Sequence, residues 1–397
     1  MSYGRDILLL SIVFLVCSLA LNLISPIWPI YITELNASMT ELGFVFSVSN
    51  AFAAGVQILS GFLSDKYGRR KIHALGTLLA AFPPLMYALA NNWVDLVPWA
   101  MLSGFATGLY IPIRWAIVAD ASANGGMASA YGWTNISWLI GSTVAPFLGG
   151  AAADALGIRF PFFACFILIL SVFPLTLLMR ETRRKPLAKA ESVNDAGSSV
   201  ARKYLFVLVM FSLINIIQGV GIGATGPVIS VFARLNFNLD YTLIGILYAI
   251  GFGVASIVVQ LPGGKCSDRF DRRKVMFWTF LVSSPFFLLF AYSRSFVELV
   301  LFMFLSNALL NMSWPAFQTL MMDSTPQSRW GFVNGVSATT FWVGLMIGNA
   351  LSGVLWDAWG QLAPFYASAV TIGVSAVLPL FLEETRAKKK NGVAIQK

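Results

Sequence analysis

The chain has 397 residues, of which 57% are hydrophobic and only 11% charged, with a formal net charge of +9 and a mean hydropathy of +0.74. One soluble core of this size could not hide so much apolar surface, so a water-soluble domain is excluded and lipid is expected to act as the solvent. A nucleic-acid partner would need the positive charge gathered on a soluble face, and it is not distributed in that way.

A bilayer-crossing helix needs about 20 mostly apolar residues. Twelve such stretches are predicted, at 7–32, 41–65, 72–91, 96–119, 128–153, 159–179, 204–234, 241–264, 275–293, 298–322, 331–355 and 362–382. The first begins after Asp6, lacks a small-residue cleavage site and runs into Ser25, Pro26 and Trp28, so it reads as a retained helix rather than a removable leader. Span 4 carries Ser103, Thr107, Tyr110 and Arg114 on one helical face, and span 10 carries Asn307, Asn311, Trp314 and Gln318 at the same spacing. Residues 180–203 are polar and rich in Ser and Ala, the composition of a linker between an N-terminal six-helix bundle, 1–179, and a C-terminal one, 204–397, that ends in a short basic tail.

Once the spans are drawn, nearly all Lys and Arg fall on the side of the termini, as in Lys66, Arg69, Arg70, Lys71, Lys265, Arg269, Arg272, Arg273 and Lys274. The opposite side holds Arg159, Arg234 and Arg294, and Arg114 alone lies within a span. The positive-inside rule places both termini in the cytoplasm, which requires an even number of spans. Cys17 and Cys165 lie in spans and Cys266 in a basic loop, so neither a disulfide framework nor a thiolate metal site is expected.

An offset of 203 residues lays the second half on the first. It carries Gly61 to Gly264, Asp65 to Asp268, Arg69 to Arg272, Pro112 to Pro315 and Asp120 to Asp323; later, Asp154 meets Asp357 and Glu181 meets Glu384. Six helices per half with one in-out sense make two parallel repeats, an arrangement that favours a binding site between them.

Between spans 2 and 3 stands Gly61-Phe-Leu-Ser-Asp65-Lys-Tyr-Gly68-Arg69-Arg70-Lys71, with a partial copy, Gly264-Lys-Cys-Ser-Asp268-Arg-Phe-Asp271-Arg272-Arg273-Lys274, between spans 8 and 9. The first closely resembles the signature loop of the major facilitator superfamily, and the copy departs from it at Asp271. The resemblance implies an all-α membrane protein of twelve transmembrane helices in two pseudo-symmetric six-helix bundles. It also implies a cytoplasmic latch, closed when the cavity faces outward, formed by Gly61, Asp65, Arg69 and Asp120 and matched by Gly264, Asp268, Arg272 and Asp323. Physically, a glycine lets membrane helices approach, a carboxylate at a helix end can accept from the open N–H groups of another helix, and Arg69 can reach Asp120. Basic residues that merely fix topology are the competing reading of this loop.

In span 5, Gly141-Ser-Thr-Val-Ala145-Pro146-Phe-Leu-Gly149-Gly150 looks like the Gly/Pro-rich motif associated with exporters of the superfamily, with Ala145 in place of the usual glycine. Close packing and a proline bend would equally explain these residues.

The resemblance implies that spans 1, 4, 7 and 10 line a cavity, so Asn22, Tyr110, Arg114, Asn215, Gln218, Asn311, Trp314 and Gln318 are its expected walls, together with Trp138 of span 5. The polar stripes of spans 4 and 10 match at an offset of 204 rather than 203, so they are rotated by about 100° against the repeat. Arg114 has no carboxylate on its own helix face; gripping a polar or anionic substrate and bonding neighbouring carbonyls are both open to it. Acidic residues cluster at span ends and the single histidine, His73, is placed beside the basic loop, so coupling to protons stays open.

Secondary active transport of a small molecule by alternating access follows, with efflux of amphipathic or drug-like compounds the first reading. A carrier for a small polar or anionic solute gripped by Arg114 and a non-transporting membrane sensor or scaffold are the alternatives. The protein is expected to work in the cell membrane as a monomer, surrounded by lipid, with no cofactor, no metal, no nucleic acid and no enzymatic activity. There is no Walker-type loop for ATP and no Ser, His and Asp set.

Overall fold

The computed structural model describes residues 2–121, 127–181, 198–326 and 329–385. Among them, twelve helical segments are long and apolar enough to cross a membrane. The N-terminal half contains α1 (Ser2–Ile24), α2 (Trp28–Glu34), α3 (Met39–Tyr67), α4 (Arg69–Leu89), α5 (Leu96–Ala121), α6 (Met127–Leu156) and α7 (Phe160–Leu178). The C-terminal half contains α8 (Ser198–Thr225), α9 (Ile229–Phe237), α10 (Tyr241–Tyr248), a π-helical segment (Ala249–Val254), α11 (Ala255–Arg269), α12 (Arg272–Ala291), α13 (Phe296–Asp323), α14 (Trp330–Trp359) and α15 (Ala363–Ser375).

Four expected spans are not single helices, the twelfth because α15 stops at Ser375 and a short 3-10 helix, Leu378–Phe381, completes it. The first breaks at Pro26 and the seventh at Pro227, each leaving a short helix, α2 or α9. Proline lacks the N–H that would continue the ladder and pushes its predecessor out of the helical region. The eighth passes through the π-helical segment and continues to Arg269, so Cys266 sits on a helix rather than in a loop. Helix α8 begins at Ser198, inside the stretch read as linker; 182–197 and 386–397 lie outside the described residues.

Call the end holding the 65–71 and 268–274 turns the basic end. Each half has its own apolar cluster there: Leu10, Val13, Phe14, Ile113 and Val172 in one, Phe211, Met276, Phe280, Phe317 and Met321 in the other. At the far end one continuous cluster joins both halves, with Tyr31, Leu42 and Phe162 packed into the same core as Phe232, Ile244 and Phe365. The halves meet through α3 against α14 and α6 against α10. Lipid tails give no hydrophobic drive to such contacts, so close approach of backbones must supply the attraction. Glycine makes this possible: a Cβ on Gly150 would lie 2.1 Å from the Tyr241 carbonyl oxygen, and one on Gly353 would lie 1.9 Å from that of Met39. At the basic end, by contrast, a Cβ on Gly61, Gly132, Gly264 or Gly335 would meet nothing within 4 Å. The halves are thus closed together at the far end and parted at the basic end.

Candidate functional site: a central cavity and its two gates

Between the halves lies a cavity of about 680 Å³. Its wall includes Asn22, Trp138, Asn215, Gln218, Asn311 and Trp314, six of the nine residues expected there. The Asn215 amide donates to Ser337 Oγ at 2.7 Å, Gln218 to Ser375 Oγ at 3.0 Å, and Asn22 and Asn311 to carbonyls one turn back on their own helices. Each amide keeps a second N–H and a carbonyl oxygen for other partners. Among the described residues, no Asp, Glu, Lys or Arg appears in the wall.

Tyr110, Arg114 and Gln318 do not line the cavity. Tyr110 is buried, its ring edge-on to His73 with centroids 6.2 Å apart. The one-residue register difference between the two polar stripes accounts for Tyr110 and Arg114: Asn307, Asn311 and Trp314 of span 10 face the cavity while the stripe of span 4 turns into its own bundle. Gln318, one turn beyond Trp314 toward the basic end, falls outside the wall. His73, expected beside the loop, is buried inside that bundle at 1% exposure. Sequence reasoning missed Asn135 and Ser142 in α6 and Ser256 and Gln260 in α11 as wall residues. Their spacing of seven and four places each pair on one helical face, a signal that a search of spans 1, 4, 7 and 10 with only Trp138 added from span 5 overlooks.

Arg114 is 6% exposed, and its Nε and Nη1 have no hydrogen-bond partner. Among the described residues no carboxylate pairs with it. Its guanidinium lies instead between two rings, 4.2 Å from the centroid of Phe14 and 4.4 Å from that of Trp138, with Trp115 at 5.3 Å. Arginine is the cation suited to such a place, because its planar group is weakly hydrated and stacks on aromatic faces.

At the basic end the two repeated arginines pair as the repeat suggests. Arg69 donates to Asp120 and, at 3.1 Å, to the Ala116 carbonyl. Arg272 donates to Asp323 at 2.7 Å and to Thr385 Oγ1 at 3.0 Å. Asp65, 4.0 Å from Arg69, keeps a side chain that is 76% exposed, and Asp268 is exposed as well; neither reaches the opposite half. The departure at Asp271 has a local cause. Gly68 starts α4 with φ of 102° and no side-chain cap, whereas Asp271 starts α12 with φ of −61° and accepts from the N–H groups of Arg273 and Lys274. Burial works to raise the Asp271 carboxyl, but bonds from the Arg273 side chain and the Lys274 N–H prevail and hold it well below the usual carboxylate range. Glu181 and Glu384, paired by the repeat, accept from the first-turn N–H groups of Arg70 and Arg272 at 3.4 and 2.7 Å.

The far end holds a second pair of contacts, and each crosses between halves. Asp154 of α6 accepts from the N–H groups of Tyr241 and Thr242 at 3.1 and 2.7 Å and from the Thr242 hydroxyl at 2.6 Å, capping α10. Asp357 of α14 accepts from the N–H and hydroxyl of Thr40 at 2.8 and 2.6 Å, at the start of α3. A carboxylate meeting open N–H groups at a helix start gains both the hydrogen bonds and the dipole. The hydroxyl of Tyr241 adds a 2.5 Å bond to Glu34 across the same seam.

Two six-helix halves around a central cavity, closed at one end and parted at the other, define a multi-pass membrane carrier. The family model of the Major Facilitator Superfamily matches residues 10–217 and 211–397, and the chain belongs to that family of transporters. It is 23% identical to the multi-drug resistance efflux pump PmrA of Streptococcus pneumoniae over 94% of each chain. It is 24% identical to the quinolone resistance protein NorA of Staphylococcus aureus over 94% of this chain and 95% of that one. Among solved structures, the D-xylose-proton symporter superposes with a TM-score of 0.78 at 17% identity, covering 96% of this chain and 98% of that chain. The nucleoside transporter NupG superposes with a TM-score of 0.72 at 15% identity, covering 94% and 97%.

Proposed function

We propose that this transporter exports amphipathic, drug-like compounds from the cytoplasm by alternating access. The observation that carries the reading is the cavity: about 680 Å³, walled by aromatic rings and uncharged polar groups, and approached from the basic end. Clefts of roughly 300–1,000 Å³ with a largely apolar wall and a few polar groups suit drug-sized ligands. With the basic end in the cytoplasm by the positive-inside rule, the cavity faces the side from which an exporter loads. The likeness to PmrA and NorA over nearly the whole chain supports the same reading.

In this account Gly61, Asp65, Arg69 and Asp120, with Gly264, Asp268, Arg272 and Asp323, form the inner gate, standing open here. Asp154 and Asp357 form the outer gate, standing closed. Arg114 lies behind Trp138 and makes no wall of its own, so direct grip on a small solute is not favoured. The test is flux in proteoliposomes with a fluorescent quinolone, with and without an imposed pH gradient. Accumulation on the side that receives exported solute, absent from empty liposomes, is expected; no protein-dependent movement of any amphiphile would overturn the reading.

A further inference from the structure

Among the described residues the cavity wall carries no formal charge, yet a cation with no carboxylate partner among them stands immediately behind it. The guanidinium of Arg114 lies 4.4 Å from the ring of Trp138, and Trp138 is itself part of the wall. The charge is almost completely removed from solvent and, among the described residues, has no carboxylate partner. An uncompensated charge in a medium of low dielectric acts over many ångströms with little screening. Its sign therefore reaches the cavity although its side chain does not.

The indole adds a second effect. A ring attracts a cation through the negative face of its quadrupole, and Arg114 already draws on Trp138 in this way. A cationic ligand approaching the wall would meet a ring polarised toward the guanidinium, and no wall carboxylate to compensate its own desolvation. An anionic ligand meets the opposite field.

Resting on the reading of this cavity as the substrate site, we propose that Arg114 sets its charge preference. The cavity takes anionic and neutral aromatic amphiphiles and rejects lipophilic cations, and Trp138 transmits the field while keeping the guanidinium out of direct contact.

The test uses three ligands of one aromatic frame: naphthalene-2-sulfonate, naphthalene-2-sulfonamide and trimethyl(2-naphthyl)ammonium. Binding to the full chain in nanodiscs is read from tryptophan fluorescence, with flux measured separately in proteoliposomes. The sulfonate is expected to bind at least about tenfold more tightly than the ammonium. Arg114→Gln should abolish that ratio while leaving sulfonamide binding within about twofold, and Arg114→Lys should preserve its direction. Equal binding of the two ions by the unaltered protein, or an unchanged ratio in Arg114→Gln, overturns the proposal; the first comparison needs no variant to fold. Selective binding without flux would uphold the charge preference and defeat the export reading. Flux without charge selectivity would do the reverse.

Discussion

The two arginines that begin α4 and α12 hold different amounts of structure from their neighbours. Asp120 is 9% exposed at its side chain and bound to Arg69, whereas Asp65 is 76% exposed at 4.0 Å. Removing one partner of a sheltered pair leaves a charge without compensation, which costs about 3–5 kcal/mol when burial is complete. Arg69 retains the Ala116 carbonyl, so Asp120→Asn is expected to cost about 2–3 kcal/mol, read as lowered thermal stability in detergent. Asp65→Asn should stay within about 0.5 kcal/mol in the same measurement. Asp271 makes a different prediction. Because its folded carboxyl is held low, its contribution to stability is complete above about pH 4 and is lost as pH falls below that toward its depressed value. The stability gap between the unaltered protein and Asp271→Asn, followed by thermal melts from neutral pH downward, should be constant above that point and shrink below it. These residues were partly legible in the sequence: the repeat offset brought Arg69 and Asp120, and Arg272 and Asp323, into register. What it could not give was Glu181 and Glu384 on the first turns of α4 and α12, because a cap supplied from over 100 residues away leaves no local pattern.

Helix starts are where the two halves exchange contacts. The carboxylate of Asp154 caps α10 and that of Asp357 reaches the start of α3, each from the opposite half. Asparagine in either place keeps an acceptor but loses the charge that favours the N-terminal dipole. Asp154→Asn combined with Asp357→Asn is expected to release the far end. Spin labels at Val94 and Val297, both exposed and adjoining the far-end starts of α5 and α13, would report a longer and broader distance distribution; an unchanged distribution would assign the seam to glycine packing alone. The sequence matched Asp154 to Asp357 but offered no partner for either, since each lies opposite a helix start of the other half. The breaks at Pro26 and Pro227 were similarly present as residues yet unread, because apolar content runs unbroken through them and span length was judged by content.

For the molecule as a whole, if the halves rock as bodies around the cavity, the inner gate closes in the same motion that opens the outer one. A reporter is built in. Cys17 and Cys165 are buried, while Cys266 is partly exposed at the basic end. With the basic end in the cytoplasm, as proposed, labelling by a membrane-impermeant maleimide in inside-out vesicles should therefore occur at Cys266, and slow in the doubly substituted Asp154 and Asp357 protein as the basic end closes. Equal labelling rates would separate the two gates and refute rocking. Fold class was readable at this scale from composition, repeat and signature loop together, because each depends on the whole chain. The cavity wall was readable for six residues, Asn22, Trp138, Asn215, Gln218, Asn311 and Trp314, but a polar stripe alone does not tell whether its face turns to the cavity or into its own bundle, as with Tyr110 and Arg114.

The reciprocal aspartate caps also bear on how finely the carrier is poised. Both sit at a solvent-exposed rim, where a charge-assisted hydrogen bond contributes only about 1–3 kcal/mol net. Together they add about 2–6 kcal/mol to a closed end that the glycine contacts and the shared apolar cluster also hold, a share that a ligand offsets with a differential affinity between about thirtyfold and 10⁴-fold. A seam of buried ion pairs would strand unpaired charges away from water each time it parted; wet, paired caps can separate and be taken up by solvent, so the far end can open and close again without leaving a charge uncompensated.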